Sequence, residues 1–206
     1  MNPNFPRKLP FPGLHAPQVS PEAYFHNPPT LETPRLLLRK MRMRDAQDVF
    51  RWSSDEQVAR YVFWTPHPSL SETRSYIRAL RRLYRNALPA SWAIEWKQTH
   101  QVIGTIGFMS WVPEWKSAEV GYSLSREFWN RGIMSEALAH VIRSGFDDLK
   151  LNRIEAQFDL RNAASGRVME KCGMRREGVL RQRIYNKGEF VDVAVYAVLA
   201  SDPLKY

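Results

Sequence analysis

From Leu31 onward the chain alternates between two apolar periods, and each period names an element. Leu36-Leu37-Leu38 reads as a first strand. Asp45 stands as the N-cap of a helix through about Trp52, and a short second helix follows Asp55. Ser71 stands as the cap of a longer helix through about Tyr84, with Ile77, Leu80 and Leu83/Tyr84 on its apolar side. A strand meander follows. Ser91–Lys97 sets Trp92, Ile94 and Trp96 against Ala93 and Glu95; Val102–Trp111 and Ser117–Leu124 come next, joined by short polar turns. Between Met134 and Leu149 the apolar positions Met134, Leu138, Val141, Ile142, Gly145 and Leu149 recur at helical spacing, which predicts an amphipathic helix packed on a sheet. Arg153–Asp159 returns to strand period, Asn162 caps a helix ending at Gly173, and strands near Met174–Arg183 and Phe190–Leu199 flank the turn Asn186-Lys187-Gly188-Glu189.

The first 34 residues break this pattern. They hold nine of the 14 prolines, few charges and no period. Proline fixes φ and lacks an N–H, so residues 1–29 are expected to form an extended arm ahead of one domain over residues 30–206. Phe5, Phe11, Tyr24 and Phe25 are the residues that would dock such an arm on the domain or on a partner; a loose terminus is the alternative.

Composition removes several classes. The 206 residues are 44% hydrophobic and 25% charged, which excludes a disordered chain, a collagen and a coiled-coil rod. A lone cysteine, Cys172, excludes an internal disulfide framework and a cysteine-rich zinc module, and fits a reducing compartment. No apolar run approaches the roughly 18 residues that cross a bilayer, and no secretory signal precedes the domain, so a soluble cytoplasmic protein that does not engage membranes is expected. The net charge of +9 is uneven: residues 30–100 carry 13 basic against seven acidic side chains. Arg74, Arg78, Arg81, Arg82 and Arg85 crowd the polar faces of one predicted helix, either as a solvated surface or as a grip on an acidic partner.

Chemistry points to one segment. The strand ending at Leu124 runs through Ser125-Arg126-Glu127-Phe128-Trp129-Asn130-Arg131 to Gly132, where the long helix begins. The first amides of a helix lack intrahelical partners and sit at the positive end of its dipole, so they suit an anion. Gly132 lets a ligand approach the backbone, and Arg131 adds planar donors suited to phosphate. A glycine before a helix is also a common plain turn.

Three stretches carry a resemblance: Glu119-Val120-Gly121-Tyr122-Ser123-Leu124, the Trp129–Ala137 loop and helix start, and Asn162-Ala163-Ala164-Ser165-Gly166-Arg167 onward to Met174. In order and spacing they are similar to the GCN5-related N-acetyltransferases. Leu31-Glu32-Thr33-Pro34-Arg35 and the terminal Phe190–Ala197 narrow this to the RimJ/RimL type, over about residues 30–200. The resemblance implies an α/β fold with a central mixed, mostly antiparallel sheet of about seven strands and about four flanking helices. Its fourth and fifth strands, here Ser117–Leu124 and Arg153–Asp159, would splay apart. Acetyl-CoA would lie in that cleft and a primary amine would attack it directly, with no metal required. Ser123 and Leu124 would contact the cofactor, Asn130, Arg131, Gly132, Ile133, Met134 and Ser135 would hold the pyrophosphate, and Asn162 would touch the pantetheine or serve only as an N-cap. The family loop reads Gln/Arg-x-x-Gly-x-Gly/Ala; Trp129 and Met134 depart from it, whereas Gly132 is kept.

The same resemblance makes Ser165 the hydroxyl that would protonate departing CoA. Glu119 is the candidate base, on one strand face with Gly121 and Ser123. A second glutamate assigned to such enzymes does not carry over, because Ile184 occupies the matching position. Tyr61, Trp64, Trp111 and Asp192 are the candidate acceptor residues, with Asp192 either binding the amine or anchoring structure. The implied acceptor is a protein N-terminus of the ribosomal alanine or serine type. The alternatives are a small-molecule amine, or a catalytically inactive CoA- or ribosome-binding protein of the same fold. No nucleic-acid-binding motif is present, and a monomer and a homodimer fit equally.

Overall fold

The computed structural model describes residues 20–203. Helix α1 is Pro21–His26, followed by strands β1 (Leu31–Glu32) and β2 (Leu36–Arg39). Helices α2 (Ala46–Ser53), α3 (Glu56–Ala59) and α4 (Leu70–Arg85) precede a meander of β3 (Ser91–Trp96), β4 (Gln101–Val112) and β5 (Ser117–Leu124). Helix α5 (Ile133–Asp147), β6 (Arg153–Asp159), α6 (Ala163–Lys171), β7 (Arg175–Asn186) and β8 (Glu189–Leu199) complete the order. The eight strands form one sheet in the order β1-β2-β3-β4-β5-β6-β8-β7. All pairs are antiparallel except β5 with β6, which α5 joins as a crossover.

Strand alternation divides the core between the two sheet faces. Trp92 and Ile94 of β3 join a cluster beneath α1, α5 and α6, whereas Ala93 joins a second cluster beneath α2 and α4. Helix α4 buries Thr73, Ile77, Leu80 and Tyr84, a spacing of four, three and four residues that makes one stripe. Its arginines 74, 78, 81, 82 and 85 are exposed, and none joins an ion pair among the described residues.

Several expectations are corrected. The sheet has eight strands rather than about seven, because Leu31–Glu32 pairs with Leu37–Leu38 ahead of the first predicted strand. The splayed pair is therefore the fifth and sixth. Six α-helices are present among the described residues, where about four were expected. The helix predicted from a Ser71 cap starts at Leu70, because Ser69 Oγ takes the Glu72 amide. Part of the supposed extended arm is helical: Pro21 sits in the first turn, where its missing N–H costs nothing, and Ser20 Oγ caps the Ala23 amide. Tyr24 and Phe25 are buried in the first core cluster. Tyr24 also shares a 2.7 Å hydrogen bond with Ser144 of α5. Residues 1–19, with Phe5 and Phe11, lie outside the described residues. No helix among the described residues is long and apolar enough to cross a membrane.

Candidate active site

Strands β5 and β6 pair only at Ser117–Glu119 with Arg153–Glu155. Beyond Glu119 and Glu155 the two strands part, leaving a cleft between their C-terminal halves. Two adjoining cavities occupy it, of about 590 Å³ and 350 Å³. Tyr61, Val62, Tyr122, Ser123, Asn162 and Ser165 line both, so these residues mark the junction.

The larger cavity lies against the start of α5. Gly132 is the N-cap, with φ of 72°, in the left-handed region that glycine enters without penalty. The first α5 bond runs from the Glu136 amide to the Gly132 carbonyl, so the amides of Ile133, Met134 and Ser135 precede the helical ladder. Trp129, which departs from the family loop, is held within it. Its indole N–H donates to the Leu124 carbonyl at 2.8 Å, tying the loop to the end of β5. Met134 is buried in the core while still bordering the cavity. Arg35 braces the helix start: it pairs with Glu136 at 2.6 Å and donates to the Arg131 carbonyl at 3.0 Å. Arg60, Arg161, Arg167 and Lys171 also line this cavity, so its wall is cationic.

The smaller cavity holds Glu119. Its Oε1 accepts from Gln157 Nε2 at 2.9 Å. Burial raises its pKa above the ordinary carboxylate value, the Gln157 bond opposes this, and the neighbouring Glu155 charge adds to it. Ser165 lies across the junction in the first turn of α6. Asn162 Oδ1 accepts from the Ser165 amide at 3.4 Å and its Nδ2 donates to Ser165 Oγ at 3.0 Å. Asn162 is therefore an N-cap and a cavity residue at once. Tyr122 Oη donates to the Ser165 carbonyl at 3.1 Å, and burial drives its pKa up, so the phenol stays protonated.

The structure brings together Glu119, Ser165, Ser123, Leu124, Asn130, Gly132, Ile133, Met134, Ser135, Asn162, Tyr61 and Trp64 along the two cavities. Three candidates fall elsewhere. Arg131 is not among the lining residues; its guanidinium lies over the Phe128 ring, 5.5 Å from the centroid. Trp111 packs on Phe25 of α1, with centroids 5.5 Å apart, because the helix in the supposed arm covers it. Asp192 lines neither cavity. Its Oδ1 accepts the Gln182 amide at 2.8 Å, where β7 bulges and Gln182 takes φ of 49°. That bond fits the anchoring role of the two that the sequence leaves open. Asp192→Ala is expected to cost about 1 kcal/mol in a melting experiment and to leave the acceptor KM unchanged.

Sequence reasoning missed Tyr122, Gln157 and His67. Tyr122 lay inside a quoted motif, and Gln157 sits two residues beyond Glu155 on the splayed strand; His67 carried no local signal. His67 Nδ1 lies 2.9 Å from both Ser53 Oγ and Thr73 Oγ1. Burial lowers its pKa, keeping the ring neutral near pH 7. Cys172 is buried, its thiol pushed up to about 12 by burial, and is no nucleophile.

The sheet thus parts beside a helix N-terminus, where an anion-suited cavity meets a carboxylate-bearing one, an arrangement with room for two substrates side by side. A sequence model of the acetyltransferase (GNAT) domain matches residues 35–175. The chain is 37% identical over 171 residues to the uncharacterized N-acetyltransferase YoaA of Bacillus subtilis, covering 83% of this chain and 97% of that one. A GNAT-family acetyltransferase structure from Bacillus anthracis superposes with a TM-score of 0.75 at 30% identity, over 83% of this chain and 98% of that one. Mycobacterium smegmatis RimJ, solved with CoA-disulfide, shares the fold at a TM-score of 0.76 and 24% identity, over 85% and 89%. More distant relatives include the ribosomal-protein-serine acetyltransferase of Escherichia coli, 32% identical over 97 residues, which are 47% of this chain and 54% of that one. The chain belongs to the GNAT family and is an acyl-CoA-dependent N-acetyltransferase.

Proposed function

We propose that this chain acetylates the α-amino group of a protein N-terminus, with acetyl-CoA as donor, in a ternary complex. The observation that carries this reading is the junction of the two cavities. There the Glu119 carboxyl, on the acceptor side, faces a cleft shared with the capped Ser165 hydroxyl. The larger cavity fits the donor: the free amides of Ile133 to Ser135 suit a pyrophosphate, and Arg60, Arg167 and Lys171 suit further phosphate, Arg161 being paired with Asp159 and Glu189.

Bound there, acetyl-CoA supplies its acetyl group as a thioester, so that the amine nitrogen forms the C–N bond, the C–S bond breaks and CoA leaves as the thiol. The residues move the protons. Glu119 takes one from the incoming ammonium, which frees the lone pair. Ser165 Oγ gives one to the departing sulfur and regains one from the nitrogen as the amide forms. Tyr122 and Asn162 hold the Ser165 turn in place, one at its carbonyl and one at its hydroxyl. A cytoplasmic location belongs to this reading, as the lone cysteine suggests.

The relatives named for ribosomal-protein serine and for uS5 alanine make N-terminal peptides the first acceptors to try. Mass spectrometry after incubation with acetyl-CoA is expected to find the acetyl group on the α-nitrogen. Acidic residues beyond the third position are expected to raise the rate at low salt, through the α4 arginines. Acetylation confined to lysine side chains or free polyamines would overturn the reading.

A further inference from the structure

The two cavities differ in charge. Four cationic side chains line the larger one, and Glu119 is the one acidic side chain lining the smaller, whose lining has no lysine or arginine. Part of that wall is aromatic, beside uncharged polar and aliphatic side chains. Trp52, Trp64, His67 and Tyr76 form a continuous row, with successive centroids 6.2, 5.8 and 5.6 Å apart. The His67 ring is kept neutral by burial and engaged at Nδ1 by two hydroxyls, so it offers no charge to a ligand.

We propose that the smaller cavity selects an acceptor whose first residue carries a bulky apolar side chain, aromatic above all, with its carboxylate masked as a peptide bond. This rests on the function proposed above and deepens it. A cavity of about 350 Å³ is far larger than the side chain of alanine or serine. A small residue leaves the aromatic walls without contacts, whereas a ring fills them edge to face. A free amino acid sets its carboxylate beside Glu119 with no cation to meet it, which both burial and like charge disfavour. A polyamine brings a second ammonium, and this lining has no carboxylate besides Glu119 to pair with it.

The test is kcat/KM for peptides identical except for a first residue of Phe, Trp, Leu, Ala or Ser, beside free phenylalanine and spermidine. Phe and Trp peptides are expected to exceed Ala and Ser peptides at least tenfold, in line with the about 10–200-fold reach of apolar pockets. Free phenylalanine and spermidine are expected to trail every peptide. Met109, half exposed at the cavity rim, supplies a variant with little risk to the fold. Met109→Trp narrows the space and is expected to lower the Phe-over-Ala ratio. Equal or better turnover of Ala and Ser peptides overturns this inference and leaves the peptide reading intact. Faster turnover of spermidine or free phenylalanine, or no transfer to any peptide, overturns both.

Discussion

Glu119→Gln lowers kcat about 10²–10⁴-fold, the usual reach of a positioned general base, and leaves acetyl-CoA affinity unchanged. The amide keeps the size of the side chain but cannot take the ammonium proton. Affinity is expected to survive because Glu119 borders the smaller cavity and not the cationic one. The pH profile adds a second signature. The base works when ionised, so activity falls as pH drops through its pKa. Burial and Glu155 place that pKa above the ordinary 4.5 despite the Gln157 bond. The acid limb of the wild-type kcat/KM profile therefore lies above the ordinary carboxylate range, and the variant loses it. Near-wild-type turnover of the variant would remove Glu119 from the chemistry.

Arg39→Ala is expected to lose about 3–5 kcal/mol of stability, the cost of removing one partner from a buried ion cluster. Arg39 is 5% exposed. It binds both Asp45 oxygens, at 2.8 and 3.0 Å, and Glu95 at 2.5 Å. Without it, two buried carboxylates face each other's charge. For a chain of this size the loss corresponds to a melting point lower by about 6–20 °C. In the wild type, burial pushes Glu95 up, but its bonds to Arg39 and His100 outweigh that and hold its pKa below the usual value. That lowered pKa contributes stability above the unfolded pKa, which is lost as pH falls through the folded one. In the variant only His100 still opposes burial, so the balance shifts towards the protonated acid. The deficit is thus largest near pH 7 and shrinks in acid; calorimetric melting across pH checks both size and trend.

Much of this architecture is legible in the chain because it rests on local period. The apolar spacing from Met134 to Leu149 finds α5 to within two residues at either end, and Asn186-Lys187-Gly188-Glu189 finds the β7–β8 turn. The cavity residues Glu119, Ser165, Asn162 and Gly132 are legible through their motifs. What local pattern misses depends on distant segments meeting. Proline density concealed α1, since only Pro21 falls inside it, in the one turn that tolerates it. With α1 unseen, Trp111 looked free for a substrate when Phe25 in fact covers it. Asp192 leaves an acceptor contact and a structural anchor both open in the sequence, because the β7 bulge that its carboxylate secures is a property of strand register. Gln157 and Tyr122 reach Glu119 and Ser165 only once β5 and β6 diverge, and no spacing along one strand encodes that meeting.

The central claim is that both substrates sit in adjoining cavities at once and the amine attacks directly. Initial velocities measured across a grid of acetyl-CoA and peptide concentrations test it most directly. Intersecting double-reciprocal lines are the predicted result, since transfer then requires both substrates together. Parallel lines, with an acetylated protein isolated in the absence of peptide, would reveal a covalent acetyl-enzyme and contradict the account.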